Sequence, residues 1–529
     1  MKIALAQLNY TVGDIELNSS KIIDSIQRAK CEGADLVLFA EQAISGLPGY
    51  DLLRSAPFVE QCEEALKTIA SHSHGIYVLV GLPLLTPNGT ISAAALLHNG
   101  EIIRYIGKQH ITARREMGFV TPSDGCEYVT IKRKKCAIVV GEDAHFTKEF
   151  DASAKYIISI NARKYSRGAL TKRYEASRGV AYRTSKSYIM INQVGGSSEI
   201  VYDGTSGVFL PNGKLALLLK SFEEDFTIYD TDAKHEEATS QPPFTSYNHR
   251  TMMLYKGATL GLKDFFFKNG YKKACIGLSG GIDSAVVASI AVATLGRENV
   301  MALMMPSKFS TTTSVEHAVA LAENLGIEYK VVPISDSYET MLTSLNTILE
   351  GSDFDATEEN IQARIRTIML MAVQNKLGYV VLNSSNKSEN ALGLCTLYGD
   401  TAGAFSVTGD LYKSEMYDLA RYINKISDNV IPESILAKEP SSELAPEQKD
   451  SDILPPYEVV DAILRRIVEK GQSCDEIINA GFDSVVVNMI HDMLLQSEKK
   501  RYQYPPTLRL SECSFRHERL MPLTNKYSG

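Results

Sequence analysis

A chain of 529 residues is too long for one hydrophobic core, so two or more domains are expected. Apolar residues at 44% and charged residues at 22% suit a soluble globular protein, and a net charge of −8 excludes general attraction to nucleic acid or anionic membrane. No apolar run reaches the roughly eighteen residues of a membrane span, and MKIALAQLNYTVGD lacks a signal-peptide pattern. The eight cysteines form no CxxC pair and no ligand-like cluster, which points to free thiols in a reducing, cytoplasmic setting.

Short apolar strands dominate the first half: KIALAQL, ADLVLFAE, IYVLVGLPLL, SAAALLHN, KCAIVVG, KYIISIN, SYIMINQVG and GVFLPNGKLALLL. Helical patterns SSKIIDSIQRAKCEG and FVEQCEEALKTIASHS lie between the early ones, and Asn-Gly pairs at 99–100 and 212–213 mark hairpin turns. This mixture predicts an α/β sandwich of two sheet layers carrying helices. Residues 232–250 break all periodicity with polar residues and two prolines, and read as a linker between domains at 1–231 and 251–529. Beyond it KKACIGLS, NVMALMMPS, YKVVPIS and GYVVLNSS alternate with helical stretches, as right-handed βαβ units in a doubly wound parallel sheet do. The tail from about 430 reads as Pro-rich loop around one helix, PYEVVDAILRRIVEKG.

Three strand ends in the first half carry groups of interest. Glu41 closes LVLFAE, Lys108 closes IRYIGK, and CAIVVGED stops at Gly141 with an acidic pair behind it. Loops at strand ends are where chemistry is usually mounted, yet a glycine presents no side chain.

In the second half, IGLSGGIDSAVVAS places a buried strand before Ser279-Gly280-Gly281 and a helix start at Asp283-Ser284. Two glycines let backbone N–H groups approach a phosphate, and the helix N-terminus adds its positive dipole end. The hydroxyls of Ser279 and Ser284 are further donors, and Asp283 can hold a phosphate-bound Mg²⁺ or cap the helix. The loop is not GxxxxGK[ST] and contains no lysine.

The string SGGxDS resembles the pyrophosphate loop of ATP pyrophosphatases. With ENIQARIR at 359–366, NKSE at 386–389, GLCTLYGD at 393–400, DLYK at 410–413 and KEPSSEL at 438–444, residues 250–529 closely resemble NAD synthetase. That resemblance implies an adenine nucleotide α-hydrolase-like fold and a two-step reaction. The nicotinate carboxylate of deamido-NAD attacks the α-phosphorus of ATP and releases pyrophosphate; ammonia then displaces AMP. It further implies ATP contacts at Ser279, Gly280, Gly281, Asp283, Ser284, Thr396, Lys413 and Ser441. Deamido-NAD contacts fall at Asn360, Arg364, Arg366, Tyr398 and Asp400, with Mg²⁺ at Asp283 and Glu389. Asp283, Glu389 and Lys413 would carry the catalysis, in an enzyme that is at least a homodimer. Plainer readings remain open: Lys413 as a solvated helix lysine, Glu389 paired with Lys387, and the two arginines as exposed helix charges.

The order Glu41, Lys108, acidic turn resembles the nitrilase (carbon–nitrogen hydrolase) family over about residues 1–230, implying an α/β-β-α sandwich. There the third position is a cysteine nucleophile, with Glu as base and Lys stabilising the oxyanion; in two-domain NAD synthetases this domain supplies ammonia from glutamine. Here Gly141 stands at that position. Cys136 lies five residues upstream, on the order of 15 Å away at strand rise. The GKQHITARREMGF stretch departs from the family's Leu-Pro-Asn-Tyr and second acidic residue, and Arg163-Lys164 replace Ser-Pro. The expectation is a synthetase using free ammonia with Glu41 and Lys108 vestigial, against a glutamine-dependent enzyme, a silent nucleotide-binding or assembly protein, and an amidating ligase for another substrate.

Overall fold

The computed structural model describes residues 1–114, 116–235, 238–239, 247–446 and 448–526. The chain divides into two compact units, Met1–Thr245 and Ser246–Gly529. The division falls inside the segment read as linker. Of that segment, residues 236–237 and 240–246 lie outside the described residues, and 247–250 already belong to a helix.

The first unit begins β1 (Lys2–Gln7), α1 (Ile15–Cys31), β2 (Leu36–Leu38), α2 (Ala56–Ser71), β3 (Tyr77–Thr86), β4 (Gly89–His98) and β5 (Glu101–Gly107). It continues through β6 (Glu127–Ile131), β7 (Lys134–Val140), α3 (Asp143–Phe146), β8 (Tyr156–Asn161), α4 (Ala169–Thr184) and β9 (Ser187–Asn192). β10 (Val194–Ser197), β11 (Ile200–Asp203), β12 (Gly207–Phe209), β13 (Leu215–Leu218) and β14 (Asp225–Asp230) complete it. Two six-stranded sheets result, ordered β14-β1-β2-β3-β4-β5 and β13-β12-β9-β8-β7-β6.

Alternation along the strands assigns each layer. Ile3 and Leu5 enter the space between the sheets with Ile138, Val140, Ile158, Ile160 and Ile189, while Ala4 and Ala6 pack with Ile22 and Ile26 of α1 and Leu66 and Ile69 of α2. Asp14 caps α1 by accepting the Leu17 N–H, and a proline sits in the first turn of α2. Both Asn-Gly pairs turn hairpins, β4 to β5 and β12 to β13. β7, β8 and β9 run parallel, so their carboxyl ends at Val140, Asn161 and Asn192 lie side by side.

The second unit holds α5 (Tyr247–Lys268), β15 (Ala274–Gly277), α6 (Ile282–Leu295), β16 (Val300–Met304), α7 (Thr312–Leu325), β17 (Glu328–Val331), α8 (Ser335–Leu349) and α9 (Ala356–Leu377). β18 (Val380–Asn383), α10 (Lys387–Leu392), β19 (Phe405–Ser406) and α11 (Lys413–Ile426) follow. The five-stranded sheet is wholly parallel, ordered β17-β16-β15-β18-β19. Ile361 and Ile365 of α9 and Tyr338 of α8 cover one face, against Cys275, Met301 and Leu303. α6, flanked by α5 and α11, covers the other. Strand order reverses at β15, and such switch points open a crevice at the strands' carboxyl ends.

The tail is more helical than its prolines suggest. Besides α13 (Tyr457–Val468) it contains α12 (Glu433–Ala437), α14 (Cys474–Asn479), α15 (Ser484–Gln496) and α16 (Glu498–Arg501). Three consecutive valines weaken the helical signal of α15, because β-branching restricts χ1 there. Burial of Val487, Ile490 and Leu494 against Val460, Ile463 and Leu464 of α13 overrides it.

Ile158→Ala, fully buried between the sheets, is expected to lose about 2–5 kcal/mol in urea unfolding. Ile103→Ala, exposed on the edge strand β5, should change stability by less than about 0.5 kcal/mol.

Candidate active sites

The Ser279–Ser284 loop joins β15 to α6 and is tied to itself. The Ser279 N–H donates to Ser284 Oγ at 3.3 Å, the Gly281 N–H to Ser279 Oγ at 3.3 Å, and the Ser284 hydroxyl to the Gly281 carbonyl at 3.1 Å. Gly280 has φ +77°, and a Cβ there would sit 2.1 Å from the Ser314 carbonyl oxygen, so only glycine fits. Ser279 and Gly281 line the cleft beside the switch point, while Ser284 is buried and its hydroxyl braces the loop from within.

Three predicted residues meet beside this loop. Lys413 Nζ donates to Asp283 Oδ2 at 2.6 Å and to Glu389 Oε1 at 3.0 Å. Lys413 is buried, which rules out a solvated helix lysine; the carboxylates are 19% and 22% exposed. Burial opposes the lysine charge, but the two carboxylates outweigh it and hold the ammonium above its ordinary range. Burial pushes the Glu389 carboxyl up to about 7, against the pull of Lys413 and with the Asp283 charge adding to the rise. Glu389 does not pair with Lys387, which is fully buried and bound to Asp410 at 3.1 Å and to the Cys513 carbonyl at 2.8 Å. Two carboxylates are what Mg²⁺ takes when substrate phosphates complete its shell. Among the described residues no three or more His, Cys, Asp or Glu side chains converge as a metal cage.

A cleft of about 280 Å³ opens alongside, lined by Ser279, Gly281, Arg366, Asp400 and Ser441 of the predicted residues. Leu303, Met304, Met305, Leu370 and Leu382 supply an apolar wall suited to a planar base. Arg366 donates to the Met305 carbonyl at 3.0 Å, whereas Arg364 donates to the Leu397 carbonyl at 3.1 Å outside the cleft lining. Thr396 links the other predicted contacts: its hydroxyl donates to Asn360 Oδ1 at 2.6 Å and its N–H to Asp400 Oδ1 at 2.6 Å. Burial raises the Asp400 carboxyl to about 6. Tyr398 lies exposed at φ +62°. Sequence reasoning missed Asn386, whose amide donates to Asp283 Oδ1 at 3.0 Å while its carbonyl oxygen accepts the Glu389 N–H at 3.0 Å. It also missed Lys438, bound to Ser314 Oγ at 2.6 Å on the cleft wall. Position 386 could have been singled out as an N-cap asparagine before an acidic first turn.

In the first unit Glu41, Lys108 and Gly141 also come together. Lys108 Nζ donates to Glu41 Oε1 at 2.9 Å and to Glu116 Oε2 at 2.7 Å, with all three side chains buried. Glu116 corrects the reading of GKQHITARREMGF: a second acidic residue is present although the surrounding text departs from the family. Burial raises the Glu41 carboxyl against the pull of Lys108, and the carboxylates in turn hold Lys108 above its ordinary range despite burial. Gly141 has φ +62°; a Cβ there would lie 2.6 Å from Lys108 Cε, 2.9 Å from Nζ and 3.4 Å from Glu41 Oε2. Any side chain at 141 therefore emerges between the glutamate and the lysine. Arg163 is not a loose cation in this region, because its guanidinium pairs with Glu142 at 2.8 Å and contacts His145 Nε2 at 3.2 Å. All eight cysteines are free, and Cys136 is buried at the start of β7. No helix among the described residues is long and apolar enough to cross a membrane.

Comparison with known proteins covers both units. Residues 2–241 match the family described as carbon-nitrogen hydrolase, and residues 254–504 match NAD synthase. The glutamine-dependent NAD(+) synthetase of Synechocystis sp. is 37% identical, over 99% of this chain and 99% of that one. The Thermotoga maritima protein of the same name is 35% identical over 100% and 99%. The structure of glutamine-dependent NAD+ synthetase from Acinetobacter baumannii, in complex with ADP, is similar at TM-score 0.76 and 30% identity, covering 99% of this chain and 98% of that one. With a nitrilase-like unit followed by an NAD synthase unit, and relatives matching from end to end, this chain belongs to the two-domain glutamine-dependent NAD(+) synthetase family.

Proposed function

We propose that this chain makes NAD from deamido-NAD and ATP and takes its nitrogen as free ammonia. Phosphates of ATP lie against the Ser279–Ser284 loop, where backbone donors, two hydroxyls and the α6 N-terminus favour negative charge. Mg²⁺ held by Asp283 and Glu389 would neutralise phosphate charge there. The nicotinate carboxylate attacks the α-phosphorus, and Lys413, kept protonated by its carboxylate neighbours, stabilises charge on the departing pyrophosphate. Thr396, Asp400, Asn360, Arg364, Arg366 and Tyr398 are proposed to hold deamido-NAD, and Ser441 an ATP phosphate. Ammonia then attacks the acyl carbon and AMP departs.

The observation that carries the ammonia reading is the geometry at Gly141. The point where a nucleophile would stand between Glu41 and Lys108 has no side chain, and the lysine stem already fills the space of a Cβ. Amide hydrolysis through an acyl-enzyme requires a thiolate or an equivalent nucleophile at that point. Cys136 is no substitute, since it is buried on β7 and its thiol contacts the Lys134 carbonyl at 3.6 Å.

The deciding assay supplies pure protein with deamido-NAD, ATP, Mg²⁺ and either ammonium or glutamine, and measures NAD. Ammonium is expected to support turnover and glutamine to give only background; comparable glutamine-driven turnover would overturn the ammonia reading. No NAD from ammonium would instead favour a nucleotide-binding or assembly role. Asp283→Ala is expected to lower ammonium-supported turnover on the order of 10³-fold, since it removes a charge partner from the reacting phosphates. Gly141→Cys should fold with about 1–3 kcal/mol of backbone strain and leave glutamine-driven turnover at background, because the new side chain meets Lys108 first. Full glutamine-driven rescue would show that the missing thiol is the sole defect.

A further inference from the structure

We propose that Asp461, on α13, is a positioning residue that sets Lys413 and Glu389 at their working separation; the proposal rests on the synthetase reading above. Lys413 opens α11 and Glu389 lies in the first turn of α10. The two helices are separated in the chain by β19 and its loops, so covalent connection alone does not fix their mutual placement. Asp461 supplies the connection. One carboxylate oxygen accepts the Ser388 hydroxyl, and the other accepts the Ser414 N–H at 2.8 Å. Ser388 Oγ in turn accepts the Lys413 N–H at 2.9 Å. Ser388 immediately precedes Glu389, and Ser414 immediately follows Lys413. A single buried carboxylate thus bridges the residues adjoining both members of the pair.

Burying a carboxylate costs several kcal/mol unless its charge is compensated. Asp461 is 1% exposed, and the compensation comes from the first turn of α11 and a hydroxyl, a favourable end for an anion. Arg465, one turn further along α13, donates instead to Glu415 at 3.3 Å and to Ser414 Oγ at 3.4 Å. One turn before Asp461, Tyr457 sets its ring 5.4 Å from Lys413 Nζ and donates its hydroxyl to Asp450 Oδ2 at 2.8 Å. One face of α13 therefore meets the lysine at its ammonium and, through Ser388, at its backbone. Neither Asp461 nor Tyr457 lines the substrate cleft.

The test compares Asp461→Asn and Ser388→Ala with wild type in ammonium-supported NAD formation, per folded molecule. Asparagine keeps the shape but offers one acceptor where two donors converge. Each variant is expected to lower kcat about 10–100-fold, the range that an ångström-scale displacement of a reacting group produces. KM for ATP and for deamido-NAD should stay within about twofold, because the cleft is built elsewhere. The double variant should be no worse than the poorer single variant, since both act through one link. A role in stability alone would lower the melting temperature and leave kcat of the folded fraction unchanged, which overturns the proposal, as do additive losses in the double variant. If Asp461→Asn does not fold, Ser388→Ala, which removes only a buried hydroxyl, decides alone by the same kcat and KM criteria. A wild type that makes no NAD from ammonium removes the reaction and this proposal together; an active wild type with unimpaired variants overturns this proposal only.

Discussion

Each unit is organised around one lysine buried between two carboxylates. In the first unit the partners of Lys108 are Glu41 and Glu116; in the second the partners of Lys413 are Asp283 and Glu389. A buried pair of carboxylates sharing one ammonium carries a net negative charge, and removing one partner of such a cluster costs about 3–5 kcal/mol. What separates the two is access. Glu41 and Glu116 have side chains 2% exposed, so their cluster is closed, whereas Asp283 and Glu389 are 19% and 22% exposed and lie beside the loop whose Ser279 and Gly281 line a cleft. The same electrostatic unit is closed to solvent in one half and partly open to it in the other, and on the proposed function only the second is reached by a cation and phosphates.

Topology explains why the second cluster forms where it does. Asp283, Glu389 and Lys413 occupy the first turns of α6, α10 and α11, the helices that follow β15, β18 and β19. Those strands are neighbours in the parallel sheet, on the side of the reversal away from β16. Successive strand–helix junctions therefore deliver three side chains and their helix N-termini to one edge. The converging dipoles favour a polyanion, and the two carboxylates keep that edge from being purely cationic. The arrangement suits a phosphate chain carried with a divalent cation better than a bare anion.

Much of this was legible in the sequence because local chemistry and long-range placement agree there. SGGIDS needs the first of its glycines, as the contact between Gly280 and Ser314 shows, and the mixture of short apolar strands with helical stretches pointed to the two sheet layers of the first unit. Other features were hidden by their dependence on distant partners. Glu116 lies in a stretch whose neighbours do not follow the family, so only its contact with Lys108 reveals it. Arg364 and Arg366 look equivalent two residues apart, yet on a helix that spacing points them in different directions, and only Arg366 lines the cleft. Lys387 reads as a partner for Glu389, and its burial becomes visible only when Asp410 and the chain near Ser511 come to meet it. The helices of the tail were obscured because tertiary burial, not propensity, stabilises α15.

On the ammonia reading, the acid–base groups of the first unit need no catalytic explanation. At φ +62° a residue with a side chain carries about 1–3 kcal/mol of strain, which glycine does not. A glycine at 141 also lets the Lys108 stem occupy the space in which a Cβ would otherwise stand, drawing the ammonium fully into Glu41 and Glu116. On the ammonia reading, the change that ends hydrolysis also relieves strain and tightens the ion cluster, in line with the general opposition between an active centre and local stability. Losing Glu41 or Lys108 afterwards would leave a buried charge without its partner. Burial alone is thus enough to hold the glutamate and the lysine in place, because each is the charge partner that the other needs.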